Sequence, residues 1–304
     1  MPECLIGLGS NLGDRKAILD EAVERLGLQL EIQRVSQWFT YAAVGGPGDQ
    51  HDFLNGCLVA STDLTAHEVA RILHDVELAM GRERVVRWSS RTLDADLLLF
   101  GEEIIETATL QVPHPRMITR RFVLEPACDI APDAIHPWLG WSMQRLLEHL
   151  DHAPWFCVRG ADPAFVDELL NVIHQAVGGT IQGSLPTPPK DANDPLQWNE
   201  LVGQFVEQHF AASDEALITG FSPWDAWSGG SHAESQTAAA AAMIGNAKIP
   251  KLTIVAAHAG SPLAECFRNL PGEQRFPTLF LSDDRSHAIQ DAVGAVMAMK
   301  SETD

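Results

Sequence analysis

The sequence has no apolar run near the roughly 18 residues that a membrane-spanning helix requires. It has no C-x-x-C pair. Its five cysteines, Cys4, Cys57, Cys128, Cys157 and Cys266, are odd in number and far apart, so neither a zinc site nor a disulfide framework is indicated. The opening MPECLIGLGSNLGD lacks the charged-then-apolar shape of a secretory leader, and a cytoplasmic location is expected. Basic charge is scarce: 21 Lys and Arg stand against 41 Asp and Glu, for a net charge of −20. Such a chain repels nucleic acid and anionic membrane, which leaves small molecules as the expected partners. What is present is a chain of 304 residues, 45% of them hydrophobic, enough for a packed core and for two domains.

Charge draws no boundary, because both halves carry a similar acidic excess. Arginine does. Twelve of the thirteen basic residues before Asp151 are Arg, and seven fall in two bursts: Arg82, Arg84, Arg87 and Arg91, then Arg116, Arg120 and Arg121. A planar guanidinium matches phosphate oxygens in a way that an ammonium does not. A solvated, ion-paired surface is the plain alternative, but this crowding in an acidic chain favours an anion site.

ECLIGLG (3–9) reads as a strand, followed by a turn in which Asp14 caps a helix bearing Leu19, Ala22, Val23 and Leu26. Residues 31–41 and 53–61 read as a hairpin-like pair of strands. Thr65-x-x-Glu68 is a capping box, opening a helix with Val69, Ile72, Leu73, Val76 and Met80 on one face and Gly81 at its end. An Arg-rich loop, a strand over 92–100 and a Pro-bounded loop leading to a short helix follow. The pattern predicts an α+β domain, an antiparallel sheet covered by helices. HLDHAPW (149–155) is the expected joint, giving domains at 1–152 and 153–304.

Asp94-Ala95-Asp96 is the sharpest chemical feature. On a strand, positions i and i+2 share a face, so both carboxylates point into one space while Leu93, Ala95, Leu97 and Leu99 line the other. Paired carboxylates on a strand otherwise built for burial call for a compensating cation. Oxygen ligands suit Mg²⁺, which completes its shell with substrate phosphates and water. A strand end ion-paired to arginine is the alternative, but Arg82, Arg84, Arg91, His114 and Arg120 flank the pair and suggest a polyphosphate site. GLGSNLGD matches neither the phosphate-loop pattern nor G-x-G-x-x-G.

GLGSNLGD (7–14), GGPGDQHDFLN (45–55), GRERVVRWSSRTLDADLLLFG (81–101) and VPHPRMITRRFVLEP (112–126) resemble the 6-hydroxymethyl-7,8-dihydropterin pyrophosphokinase family of folate biosynthesis. The resemblance covers about residues 1–150. It implies a ferredoxin-like α+β fold, ATP and two Mg²⁺, and transfer of pyrophosphate to a pterin hydroxymethyl group with release of AMP. Asp94 and Asp96 would then bind the Mg²⁺ ions, and Arg82, Arg91, His114 and Arg120 the ATP phosphates. Arg84 and Trp88 would join Arg82 and Arg91 in catalysis from the loop that closes over them, with Leu97 at the nucleotide. Glu77 either touches the nucleotide site or marks the edge of an apolar helix face. Asn55 would bond the pterin edge between the rings of Phe53 and Phe122, with Val44 in the pterin loop; by itself, either Phe reads as a core residue. Where the family shows Thr-x-Pro, this sequence has Tyr41-Ala42-Ala43, and Ser89-Ser90 replaces Gly-Pro before Arg91.

Beyond the joint, WFCVRG, EALITGF, KLTIVAA and PTLFLS read as strands, alternating with helices near 165–177, 197–211 and 286–300. The Ala-rich stretch 237–243 reads as helix. This predicts an α/β domain with a parallel sheet, weakly similar to deoxynucleoside-kinase-like proteins. Its first loop, Gly160-Ala161-Asp162-Pro163-Ala164-Phe165, lacks the phosphate-binding lysine, so a degenerate, non-catalytic domain is expected. Trp224, Asp225, Trp227 and His258 are read as structural. The functional readings are an active pyrophosphokinase with an accessory domain, a folate-pathway scaffold with a decayed site, and a bifunctional nucleoside-kinase fusion, which the missing lysine disfavours. Folate-pathway enzymes are the expected protein partners.

Overall fold

The computed structural model describes residues 1–44, 50–81, 91–153, 155–160, 162–182, 217–219, 251–257, 261–270 and 275–299. They belong to two compact units: Met1–Glu148 with Ala298–Asp304, and His149–Met297. Ala298 and Met299 belong with the first unit. There the Arg121 N–H donates to the Ala298 carbonyl at 3.0 Å. No helix among the described residues is long and apolar enough to cross a membrane.

The first unit opens with β1 (Glu3–Ser10), α1 (Arg15–Gly27), β2 (Glu31–Val35), β3 (Phe39–Tyr41) and β4 (Phe53–Ser61). α2 (Ala66–Ala79), β5 (Asp94–Phe100), the hairpin of β6 (Ile105–Glu106) and β7 (Gln111–Val112), and α3 (Arg121–Ile130) follow. A second small hairpin, β8 (Ile135–His136) and β9 (Trp141–Ser142), precedes α4 (Met143–His152). The main sheet runs β2-β4-β1-β5, with β3 added alongside β4, and its pairs are antiparallel. Cys4, Ile6 and Leu8 of β1 share one core with Leu19 and Leu26 of α1, Val69 and Leu73 of α2, and Leu97 and Phe100 of β5. The opposite face meets α3, where the Cys57 thiol of β4 lies 3.6 Å from the Val123 carbonyl. Both helix starts follow their sequence signals: Asp14 accepts from the Ala17 N–H at 3.1 Å, and Thr65 with Glu68 forms a reciprocal capping box.

Two local expectations are corrected. Residues 31–41 are two strands, because Ser36 turns inward: its N–H donates to the Cys57 carbonyl and its Oγ accepts from the Cys57 N–H, both at 2.9 Å. The Trp38 ring follows, over Gly56, where a Cβ would stand 2.4 Å from it. In β5 the alternation slips. Leu5 faces Leu99 but Ile6 faces Leu97, so Leu98 is an extra residue. Leu99 therefore lies on the face of the two aspartates, and Phe100 takes its place in the helix-covered core.

The second unit contains β10 (Trp155–Gly160), α5 (Pro163–Val177), β11 (Thr180–Gln182), β12 (Leu217–Thr219), β13 (Leu252–Ala256), α6 (Pro262–Arg268), β14 (Thr278–Phe280) and α7 (Arg285–Met297). The described strands pair in parallel, in the order β11-β12-β10-β13-β14. The helix read at 197–211, the Ala-rich stretch, Trp224, Asp225, Trp227 and His258 lie outside the described residues.

His136 is 5% exposed, and its Nδ1 accepts from the Leu139 N–H at 3.3 Å. Burial lowers its pKa to about 4. An unfolded histidine takes up a proton near pH 6.5 while the native one resists, so stability falls as pH drops from about 6.5 toward 4, by up to about 3 kcal/mol. Urea unfolding across that range is expected to show the slope in the parent. His136→Asn, which keeps an acceptor and cannot titrate, should reduce the slope and leave the part contributed by His114; an unchanged slope would discount His136.

Candidate functional site

The site is laid out by strand register on the sheet face opposite α1 and α2. Gly9 of β1 pairs with Asn55 on one side and Asp94 on the other, and Gly7 pairs with Cys57 and Asp96. Residues opposite one another in an antiparallel sheet share a face, so Asn55, Asp94 and Asp96 come together across β1. This closeness is possible because β1 carries no side chain there. A Cβ on Gly9 would lie 2.7 Å from Asn55 Oδ1 and 3.7 Å from the Phe53 ring.

On the β5 side the carboxylates meet cations. Arg91 Nη1 donates to Asp94 at 2.6 Å and Arg120 Nη1 to Asp96 at 3.3 Å. His114 Nδ1 accepts from the Arg116 N–H at 3.2 Å, leaving Nε2 to carry the proton toward Asp96 at 3.7 Å. Burial, aided by Arg120 and Arg116 and opposed by Asp96, holds His114 below the ordinary imidazole pKa, so it is a neutral donor. Beside it opens a cleft of about 490 Å³ whose lining includes Leu73, Ala95, Asp96, Leu97, Leu110 and His114. Glu77 is 3% exposed and accepts the Ala95 N–H at 2.9 Å, holding the peptide between the two aspartates.

On the β4 side stand Asn55, which is buried, and Phe53 and Phe122, which are half-buried. Phe122, at the start of α3, lies 5.5 Å below the Arg120 guanidinium and 6.2 Å from the Tyr41 ring. Val44 is half-buried and is the last described residue before 45–49. Arg82, Arg84 and Trp88 lie outside the described residues.

Asn11 was legible only as part of a turn, yet it is 1% exposed and ties three chain segments together. Its Oδ1 accepts the Arg91 N–H at 2.9 Å, and its Nδ2 donates to the His51 carbonyl at 3.3 Å. Arg15 adds a bond to the Asp52 carbonyl at 2.6 Å. The signal was the amide inside GLGSNLGD: a buried Asn needs several partners.

Among the described residues no group of three or more His, Cys, Asp or Glu is placed to hold a metal. Asp94 and Asp96 alone, 28% and 34% exposed, fit a hard cation completed by substrate oxygens and water, and do not fit a closed zinc site. Carboxylates each paired with a guanidinium, on the same sheet face as a buried amide and the Phe53 ring, suit a transferase that handles a polyphosphate and a flat polar heterocycle.

The family model described as 7,8-dihydro-6-hydroxymethylpterin-pyrophosphokinase matches residues 5–132. Three of the curated relatives that bear the name 2-amino-4-hydroxy-6-hydroxymethyldihydropteridine pyrophosphokinase illustrate the likeness. The one from Synechocystis sp. is 38% identical over 149 residues, 48% of this chain and 75% of that protein. That of Aquifex aeolicus is 39% identical over 158 residues, 52% of this chain and 98% of that one. That of Bacillus subtilis is 43% identical over 127 residues, 41% of this chain and 75% of the relative. The chain belongs to this pyrophosphokinase family.

The crowding at β1 is testable by stability. Gly9→Ala places a methyl against the buried Asn55 side chain and is expected to cost about 1–3 kcal/mol. Gly7→Ala meets only the tip of Leu98 at 3.3 Å and should cost less. Urea midpoints of the two variants decide it; equal losses contradict the packing argument.

Proposed function

We infer that the first unit transfers pyrophosphate from ATP to the hydroxymethyl oxygen of 6-hydroxymethyl-7,8-dihydropterin, releasing AMP, in folate biosynthesis. The hydroxymethyl oxygen forms a bond to the β-phosphorus of ATP while the bond between that phosphorus and the α–β bridging oxygen breaks, and the hydroxyl proton is lost. The observation that supports this reading is the placement of Asn55 and the Asp94–Asp96 pair on either side of Gly9, one suited to a heterocycle and the other to phosphates.

In this reading Asp94 and Asp96 hold Mg²⁺, two ions in all, which supply positive charge to the phosphate oxygens. Arg91, Arg120 and the Nε2–H of His114 bind the phosphates, with Arg82 and Arg84 from the Arg-rich loop and Trp88 closing over them. Leu97 packs against the nucleotide. Glu77 acts from beneath, by fixing the Ala95 peptide. Asn55 both donates to and accepts from the pterin edge, Phe53 and Phe122 take its two faces, and Val44 borders the loop beside it. A ferredoxin-like arrangement accounts for the β-α-β-β-α-β order that remains when the short β3 is set aside. The decayed-scaffold alternative is disfavoured because Asp94, Asp96, Arg91 and His114 remain together.

For the second unit the reading is an accessory, non-catalytic domain, a surface for folate-pathway enzymes. At the start of α5, Asp162 accepts the Ala164 N–H at 3.0 Å, so a carboxylate already occupies the position where a phosphate would dock.

The test is AMP release from ATP, dependent on both Mg²⁺ and the pterin; its absence from the folded full chain overturns the reading. Asp96→Asn should lose about 100-fold or more in kcat with unchanged unfolding, as expected when charge at a developing phosphate is removed. Arg91→Lys should also lose most activity, because an ammonium cannot reproduce a planar fork. Parent-like turnover in Arg91→Lys makes Arg91 a surface cation.

A further inference from the structure

Tyr41 is the only tyrosine of the chain, and it stands on the edge of the pocket without being assigned to it. β3 places it directly opposite Phe53, on the same face as Asn55. It is 8% exposed. Its ring meets that of Phe122 at 6.2 Å with the planes inclined by 57°. Its hydroxyl donates to Glu125 Oε2. The other oxygen of Glu125 accepts from Arg121 Nη1 at 2.9 Å, and Arg121 is itself 7% exposed.

Phe122 belongs to the same turn of helix as Arg121, and Glu125 follows one turn later, so the chain of bonds loops back on α3. Two groups bear on the Phe122 ring. One is the Arg120 guanidinium at 5.5 Å, bound in turn to Asp96. The other is Tyr41, tethered through its hydroxyl to a carboxylate that an arginine holds. A phenol anchored at its far end cannot swing, so the ring it touches is held in one plane.

We propose that Tyr41, locked by Glu125 and Arg121, is a positioning residue that fixes the ring plane of Phe122 and thereby sets the affinity for the pterin. This rests on the reading of Phe53, Asn55 and Phe122 as the pterin pocket. Its hydroxyl bonds to Glu125 and its ring meets Phe122, so its effect is expected on pterin binding and not on the transfer step.

The experiment measures the Kd for 6-hydroxymethyl-7,8-dihydropterin by calorimetry, with kcat and both KM values, in the full chain. Tyr41→Phe keeps the ring and removes the anchor. It is expected to raise the pterin Kd about tenfold, the worth of one hydrogen bond to a charged group, with kcat and the KM for ATP changed less than about twofold. In a Phe122→Ala background the same substitution should have no further effect, since the residue it acts through is gone. Glu125→Ala should mimic Tyr41→Phe, and Glu125→Gln, which keeps an acceptor, should restore most of the affinity. Should Tyr41→Phe lower the unfolding midpoint, the contrast between Ala and Gln at position 125 carries the test. An unchanged Kd in Tyr41→Phe, or an undiminished effect without the Phe122 ring, overturns the proposal. Asn55→Ala separates the two layers: an unchanged Kd there overturns the pocket assignment itself, whereas a weakened one with Tyr41→Phe silent overturns only the positioning role.

Discussion

A Cβ at Gly9 would stand 2.7 Å from Asn55 Oδ1, and one at Gly7 would stand 3.3 Å from Leu98. The first distance is shorter than a real carbon contact allows, so the central strand must be bare where its neighbours bring their functional side chains. β1 is flanked by β4 on one side and β5 on the other, and at strand spacing of about 4.8 Å any group it carried on this face would separate them. Its other face is the reverse: Cys4, Ile6 and Leu8 are buried against the helices. One strand thus supplies anchoring on one side and open space on the other.

The same logic governs charge. The chain is strongly acidic, yet around Asp94 and Asp96 it sets Arg91, Arg120 and a neutral His114. Each carboxylate is partly exposed and has a cation within reach, which avoids the cost of burying like charges together. Glu77 is deeper, and its burial is offset by the Ala95 N–H that it accepts. The aspartates are therefore held from behind by a backbone bond and from the front by arginines.

Much of this was legible because local rules and global structure agree. The capping box at Thr65, the cap at Asp14 and the i, i+2 spacing of the aspartates each follow from short-range chemistry. What escaped the sequence depended on partners far along the chain. Ser36 splits a strand by bonding to Cys57, and Asn11 bridges Arg91 and His51; no period reveals either. Tyr41 finds Glu125 across 84 positions. Leu99 was assigned to the wrong face because alternation has no way to register one surplus residue.

That surplus at Leu98 puts the two ends of β5 out of phase. From Asp94 to Leu97 the strand keeps the rhythm set by β1, and from Leu99 onward it keeps the opposite one. Every residue after the defect therefore presents the face opposite to the one that unbroken alternation would give it. Asp94 and Asp96 thus keep the register of Gly9 and Gly7 whichever face the far half of the strand presents.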